Sequence, residues 1–144
     1  MRIDVLTLFP ESINGFLNES IIKRAISSGK VEINLINFRD YSPLNNNQVD
    51  DTPYGGGAGM VLRCEPIFNA IDAIKTDDSY IIMLTPEGST YNQKKAKSLL
   101  DKKHIILLCG HYEGFDERIK TLVDEEISIC DFILTGGEIA ATAI

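Results

Sequence analysis

The sequence predicts an α/β fold, a largely parallel sheet flanked by helices. Short apolar runs rich in Ile and Leu alternate with segments of helical period, the pattern of strand–helix units. Three of these runs stop at a glycine-bearing polar loop: Ser79–Leu84 into Thr85-Pro86-Glu87-Gly88, His104–Cys109 into Gly110-His111-Tyr112-Glu113-Gly114, and Ile127–Leu134 into Thr135-Gly136-Gly137-Glu138. Such runs read as strands buried on both faces. Ligands of parallel sheets bind at the carboxyl ends of the strands. The three loops are therefore expected to line one pocket, where glycines let a ligand lie against bare backbone.

Taken in order, Arg2–Leu8 reads as a first strand, with Ile3, Val5, Leu6 and Leu8 as its apolar residues. Pro10 suits the first turn of a helix. Ile13, Phe16, Leu17, Ile21, Ile22, Ala25 and Ile26 come next, with Gly15 and Asn18 weakening the middle. Ser20 is a candidate cap for a second short helix and Gly29 fits the position just past its end. Val31–Phe38 alternates as a strand. Tyr41–Gly59, rich in Asn, Asp, Pro and Gly, is a long loop of the kind that is often functional. Pro66 starts a helix with Ile67, Ala70, Ile71 and Ile74 on one stripe. Helices over Gln93–Lys102 and Phe115–Val123 separate the last three strands. Gly137–Ile144 begins a helix without a C-terminal cap, so an interrupted element is expected there.

The length, 144 residues, suits a single domain with a real core, and 44% of the residues are hydrophobic, which excludes a disordered chain. No apolar stretch is long enough to span a bilayer, and no signal peptide is visible. Cys64, Cys109 and Cys130 are odd in number and widely spaced. They read as reduced thiols of a cytosolic protein, not as a disulfide frame or zinc site. The net charge of −7 argues against a general nucleic-acid glue. The lysine-rich run Lys94–Lys103 reads as a solvated helix face rather than an RNA contact.

Three motifs carry the chemistry. Asp50-Asp51-Thr52-Pro53-Tyr54-Gly55-Gly56-Gly57-Ala58-Gly59-Met60 lacks the Lys-Ser/Thr of a phosphate loop and the spacing of a dinucleotide fingerprint. Glycines so dense cost backbone entropy, which favours a binding loop over a passive tip. In Gly110–Arg118, Asp116 and Glu117 are accounted for by the dipole of a helix they would begin. Glu113, between two glycines at the pocket mouth, is placed to hold a cation or an amine. His111 is an ordinary loop histidine unless a partner orients it. In Thr135–Glu138, a turn into a helix and a close backbone approach to a ligand are equally compatible with the residues. A bulky side chain at Gly110 is expected to fill space the ligand needs.

Four ordered motifs carry a family resemblance: Asp50-Asp51-x-Pro53-Tyr54-Gly55-Gly56-Gly57-x-Gly59-Met60; Leu84-x-Pro86-x-Gly88; Cys109-Gly110-x-Tyr112-Glu113-Gly114-x-Asp116-Glu117-Arg118; and Asp131-x-x-Leu134-x-Gly136-Gly137-Glu138. From Arg2 onward the chain resembles bacterial tRNA (guanine-37-N1)-methyltransferase, of the SPOUT class. The resemblance implies one SPOUT domain over 1–144, with a deep trefoil knot towards its C-terminal end. It implies S-adenosylmethionine bound bent within that knot. By position, the cofactor would be held by Leu84, Thr85, Pro86 and Gly88, by Gly110, Tyr112 and Glu113, and by Ile129, Cys130, Asp131, Phe132, Ile133 and Leu134 running into Gly136 and Gly137. Glu113, with His111 beside it, would be catalytic, and Glu113 would engage magnesium, which the family is reported to use. Asp50, Asp51, Tyr54, Gly55, Gly56, Gly57 and Gly59 would shape the guanosine site.

The implied partners are tRNA and a second copy of the chain, with no membrane and no DNA, in the cytoplasm. The sulfonium methyl is already electrophilic, so alignment is the protein's main task. Guanine N1 must lose a proton, or charge on O6 must be stabilised. In the family the base is an aspartate in a C-terminal helical domain that also grips tRNA. That domain is expected to lie outside residues 1–144, which alone would then be inactive. A non-catalytic cofactor-binding dimerisation module is the alternative, and a nucleotide-phosphate binder is disfavoured by the missing phosphate-loop lysine.

Overall fold

The computed structural model describes residues 1–144. Five parallel strands form the main sheet: β1 (Arg2–Thr7), β2 (Glu32–Asn37), β5 (Ser79–Thr90), β6 (His104–Cys109) and β7 (Glu125–Ser128). Their order is β2-β1-β6-β5-β7, and every neighbouring pair runs parallel. The short strands β3 (Asp50–Asp51) and β4 (Val61–Leu62) pair antiparallel and close the glycine-rich loop between them.

Helices cover both faces. Along the strands, alternate residues enter alternate cores, as the pleat requires. Leu6, Ile81, Met83, Ile106 and Leu108 pack with Ile67, Ala70 and Ile71 of α3 (Cys64–Ile74) on one side. Val5, Ile82, Leu84, Ile105, Leu107 and Cys109 pack on the other side with Ile13 of α1 (Glu11–Leu17), Leu99 of α4 (Gln93–Leu99) and Ala140 of α5 (Glu138–Ala143). Every residue of β6 is buried, so its run is apolar almost throughout, as a central parallel strand should be.

At the amino end of β6, the buried His104 is tied to Asp4 (Nε2 to Oδ2, 2.9 Å) and to Ser79 (Nδ1 to Oγ, 2.7 Å). Asp4 also accepts from Arg2 and Asn34. This polar cluster ties β1, β2, β5 and β6 together at the end of the sheet opposite the glycine loops.

Several expected boundaries move. The helical segment after Pro10 breaks at Asn18, giving α1 and then α2 (Ser20–Ser27). Ser20 does not cap α2; it is the first residue of the helix, at φ 50°, with Glu19 at the cap. Gly29 does end it: at φ 69° it donates to Ile26 O, and Lys30 N to Ala25 O, the paired bonds of a Schellman motif. The helix expected over Phe115–Val123 is a 3-10 segment over Glu117–Leu122, capped by Asp116, whose Oδ1 accepts from Arg118 N.

Strand β5 runs past Leu84 to Thr90, and its ladder with β7 pairs both Leu84 and Ser89 with Ile127. Residues 85–88 are thus looped out of a strand that resumes. Strand β7 ends at Ser128 instead of Leu134. The chain turns there as Ser128 Oγ donates to Cys130 O, 2.9 Å, and Ile129–Leu134 leave the sheet.

A cavity at the carboxyl ends of the strands

The carboxyl ends of β5, β6 and β7 open into one cavity of about 500 Å³, within the size range of small-molecule sites. Pro86, Gly110 and Gly136 all line it, so the three loops converge as expected. Leu84, Thr85, Tyr112, Glu113, Ile129, Phe132, Ile133, Leu134 and Gly137 share that lining. Gly88, Cys130 and Asp131 lie outside it.

A Cβ built on Gly88 would sit 2.5 Å from Ile127 N. Gly88 therefore lets β5 rejoin β7 after the looped-out residues. Gly110 likewise serves the wall: a Cβ there would meet the Phe115 ring at 2.7 Å. A side chain at Gly110 would thus first press on Phe115, which itself lines the cavity. At Gly137 a Cβ would lie 2.7 Å from Cys109 Cα. This close passage lets Gly137 N donate to Gly110 O at 2.9 Å and joins the last loop to the end of β6.

The glycine-rich loop comes alongside but does not line the cavity. Glu113 N donates to Met60 O at 2.9 Å. A Cβ on Gly59 would fall 2.4 Å from Glu113 Cγ, so Gly59, at φ 91°, gives the Glu113 side chain its place. Gly55, Gly56 and Gly57 also hold positive φ, the conformation glycine adopts without penalty. Asp51 is engaged by Arg63 at 2.6 Å, and Asp50 is in strand β3. Tyr54 is 89% exposed at the tip.

His111 has the partner that sequence reasoning lacked. Its Nε2 lies 2.9 and 2.8 Å from the two carboxylate oxygens of Glu138. Thr7 Oγ1 donates to Glu138 Oε1 and accepts from Phe9 N at 2.9 Å. Glu138 and Thr7 are both buried, and the Phe9 ring meets the imidazole edge-on at 4.8 Å. Thr7 and Glu138 are 131 residues apart, so no local pattern could have linked them.

Other charges complete the wall. Lys120 lies 3.3 Å from Glu117 and 3.8 Å from Glu87, and the hydrogen bond to Glu117 raises its ammonium above the ordinary lysine range. Burial, with Glu138 nearby, pushes the Cys109 thiol well up, so that thiol is inert packing. Cys64 is buried, Cys130 is half-buried, and all three cysteines are free. No group of three or more His, Cys, Asp or Glu is placed to hold a metal ion. No helix is long and apolar enough to cross a membrane.

A parallel sheet with three loops closing over one cavity at its strand ends defines an α/β domain of the doubly covered, parallel-sheet class. The family described as tRNA (Guanine-1)-methyltransferase TrmD matches residues 1–144. The chain is 58% identical over 144 residues to the tRNA (guanine-N(1)-)-methyltransferase of Malacoplasma penetrans, covering 100% of this chain and 64% of that protein. It is 57% identical over 145 residues to that of Carboxydothermus hydrogenoformans, covering 100% of this chain and 57% of the relative. The crystal structure of tRNA (m1G37) methyltransferase from Aquifex aeolicus superposes with a TM-score of 0.92 at 46% identity, covering 99% of this chain and 66% of that one.

The chain belongs to the tRNA (guanine-1)-methyltransferase family. It spans about three-fifths of the length of these curated relatives.

Proposed function

We propose that this domain binds S-adenosylmethionine in the cavity at the ends of β5, β6 and β7 and presents its methyl group to N1 of the guanosine 3′ of a tRNA anticodon. The observation that carries the reading is the convergence of the loops at Pro86, Gly110 and Gly136 on one cavity, in a chain of this family. The cavity suits the cofactor. Leu84, Ile127, Ile129 and Leu134 give it apolar wall, Gly110, Gly136 and Gly137 bring backbone to its surface, and Glu87, Glu113 and Glu117 give it carboxylates.

S-adenosylmethionine, when bound, supplies a methyl carbon already activated by its sulfonium. The residues then have alignment and electrostatics as their tasks. The backbone at Leu84–Pro86 and Gly110 holds the nucleoside by hydrogen bonds. Glu113, fixed against Gly59, attracts the cationic part of the cofactor. The loop from Asp50 to Gly59, packed against Glu113, forms the guanosine side. Glu113 would offer a magnesium ion a single carboxylate, with no group of three His, Cys, Asp or Glu gathered to complete a metal site.

The trefoil knot, the homodimer, the tRNA partner and the cytoplasmic setting belong to the same proposal. In support of the knot, the chain after β7 passes the end of β5 to reach Gly110 at the end of β6, and α5 packs on β6 and α1. In support of the dimer, Phe132, Ile133 and Ile139 beside the cavity are 61, 83 and 60% exposed, an apolar surface that a second copy would cover.

Calorimetric titration with S-adenosylmethionine tests the binding half. Primer extension on unmodified tRNA tests the transfer half, using the chain alone and joined to the remaining segment of its Malacoplasma penetrans relative. Saturable binding and a stop at that guanosine are expected. Binding with no stop in either form would favour the non-catalytic module, and no binding would sink the cavity assignment.

A further inference from the structure

Tyr54 is the most exposed large apolar residue of the chain, at 89%. That exposure is built in. Gly56 N donates to Pro53 O at 3.1 Å and Gly55 holds φ 87°, the closing bond and positive third-residue φ of a type II turn. Tyr54 is the second residue of this turn, so its backbone is fixed at the apex of the loop. The base of the loop is fixed as well. Strands β3 and β4 pair across it, and Leu62 bonds through its N to Gly114 O and through its O to Asp116 N, both at 2.9 Å. The Tyr54 ring joins none of the aromatic or cation–ring contacts of the chain. A large ring held in water forgoes the burial that normally makes an aromatic side chain stabilising.

The surrounding charges indicate what kind of group covers the ring. Asp50 and Asp51 precede Tyr54 in the same loop, and the Glu113 side chain meets the far end of the loop at Gly59. The cations there are engaged: Arg63 by Asp51 at 2.6 Å and Glu65 at 3.3 Å, Arg118 by Asp116 at 2.9 and 2.6 Å. A phosphate would meet carboxylates and no free cation. The face of a nucleobase carries no net charge and stacks on an aromatic ring whatever its sequence. Tyr54 is absent from the cavity lining, so its ring is not placed to hold a guanine that reacts inside.

We propose that Tyr54 is a stacking platform for the base next to the target guanosine in the substrate RNA, standing in for the guanine that leaves the stack. This rests on the function proposed above. Enzymes that modify a base take it out of the stack, which leaves its neighbour without a partner. Unstacked bases of single-stranded RNA loops are held on aromatic side chains. A ring on a preformed turn, beside the loop that carries Glu113, meets that need without having to be ordered on binding.

The test uses an anticodon stem-loop RNA with 2-aminopurine placed in turn on each side of the target guanosine, a base whose emission is quenched by stacking. The protein is the chain joined to the remaining segment of its Malacoplasma penetrans relative. Wild type and Tyr54→Phe should keep the probe quenched at one of the two positions, and Tyr54→Ala should release its emission. Tyr54→Ala should also weaken RNA binding about 5- to 150-fold, the range for one base stacked on an aromatic side chain. The slope of affinity against salt should not change, because no phosphate contact is lost. Melting temperature and S-adenosylmethionine affinity should stay at their wild-type values.

Wild-type RNA affinity and probe emission in Tyr54→Ala would overturn the proposal, as would a wild type that binds no RNA. A shallower salt slope in Tyr54→Ala would mark a phosphate contact in place of a stacked base and overturn it too. Methyl transfer is read separately in the same protein. A wild type that quenches the probe but transfers no methyl group fails the methyl-transfer reading and leaves the platform standing. A wild type that transfers, matched by Tyr54→Ala in KM for tRNA and in probe emission, fails the platform and leaves that reading standing.

Discussion

Gly136 and His111 are in a contact that only a glycine permits: a Cβ on Gly136 would lie 2.3 Å from His111 Cε1. The backbone of the third loop thus lies directly against the imidazole of the second, and the cavity wall is continuous there.

Gly136→Ala should therefore push the imidazole off Glu138 and widen the joint between the two loops. Overpacking of this kind costs about 1–3 kcal/mol. If all of it were expressed in cofactor binding, that would be a loss of affinity of about 5- to 150-fold, read by calorimetry. Wild-type affinity in this variant would mean that the joint does not shape the binding site.

Gly88→Ala tests the rejoining of β5 and β7. The new methyl would meet backbone, Ile127 N at 2.5 Å, which cannot swing aside as a side chain can. The ladder beyond Leu84 should open, with a loss of about 1–3 kcal/mol, read as a lower urea midpoint at unchanged slope. An unchanged midpoint would contradict the assignment of Gly88 to strand closure.

Glu113 is exposed, and its side chain rests against Gly59 without a hydrogen-bond partner. Surface substitutions away from packed features usually change stability by no more than about 0.5 kcal/mol. Glu113→Ala should leave the melting temperature nearly unchanged while lowering methyl transfer in a form that carries it out. A full transfer rate would remove Glu113 from the site.

Acid stability should depend on the start of the 3-10 segment. The Arg118 side chain donates to Asp116 at 2.9 and 2.6 Å, and these bonds are the main cause holding the Asp116 carboxyl below its ordinary value. Glu65 is lowered too, chiefly by a backbone hydrogen bond. A carboxyl whose folded value is depressed binds its proton more readily in the unfolded chain. Its stabilisation is complete above the unfolded value, about 4, and fades as pH falls through the folded value. Melting temperature should decline below about pH 4, and Asp116→Asn should make that decline shallower. An identical acid limb in the variant would contradict this source of stability.

Much of the site could be read in the sequence because strand and loop are adjacent in the chain. The apolar runs at Ile81–Leu84 and Ile105–Cys109 show where the sheet ends, and Pro86 and Gly110 mark the loops beyond it. The third run misleads in part. Ile129–Leu134 is nearly as apolar as a strand, but β7 has exhausted its partner at Thr90–Ser128, and those residues supply cavity wall instead. The looped-out Thr85–Gly88 resembles a strand end because the resumption at Ser89 depends on a contact with Ile127 far along the chain. The same distance hides Thr7 behind Glu138. Local pattern revealed the loops; which side chains clasp across them was decided by packing.

The central claim, that the three loops form the methyl-donor site, is tested most directly by backbone amide spectra of the isotope-labelled chain titrated with S-adenosylmethionine. Saturable shifts concentrated at residues 84–87, 110–114 and 129–137 are the predicted result. Shifts centred instead on the apolar hollow between Phe16, Ile33 and Leu100, or none at saturating cofactor, would contradict it.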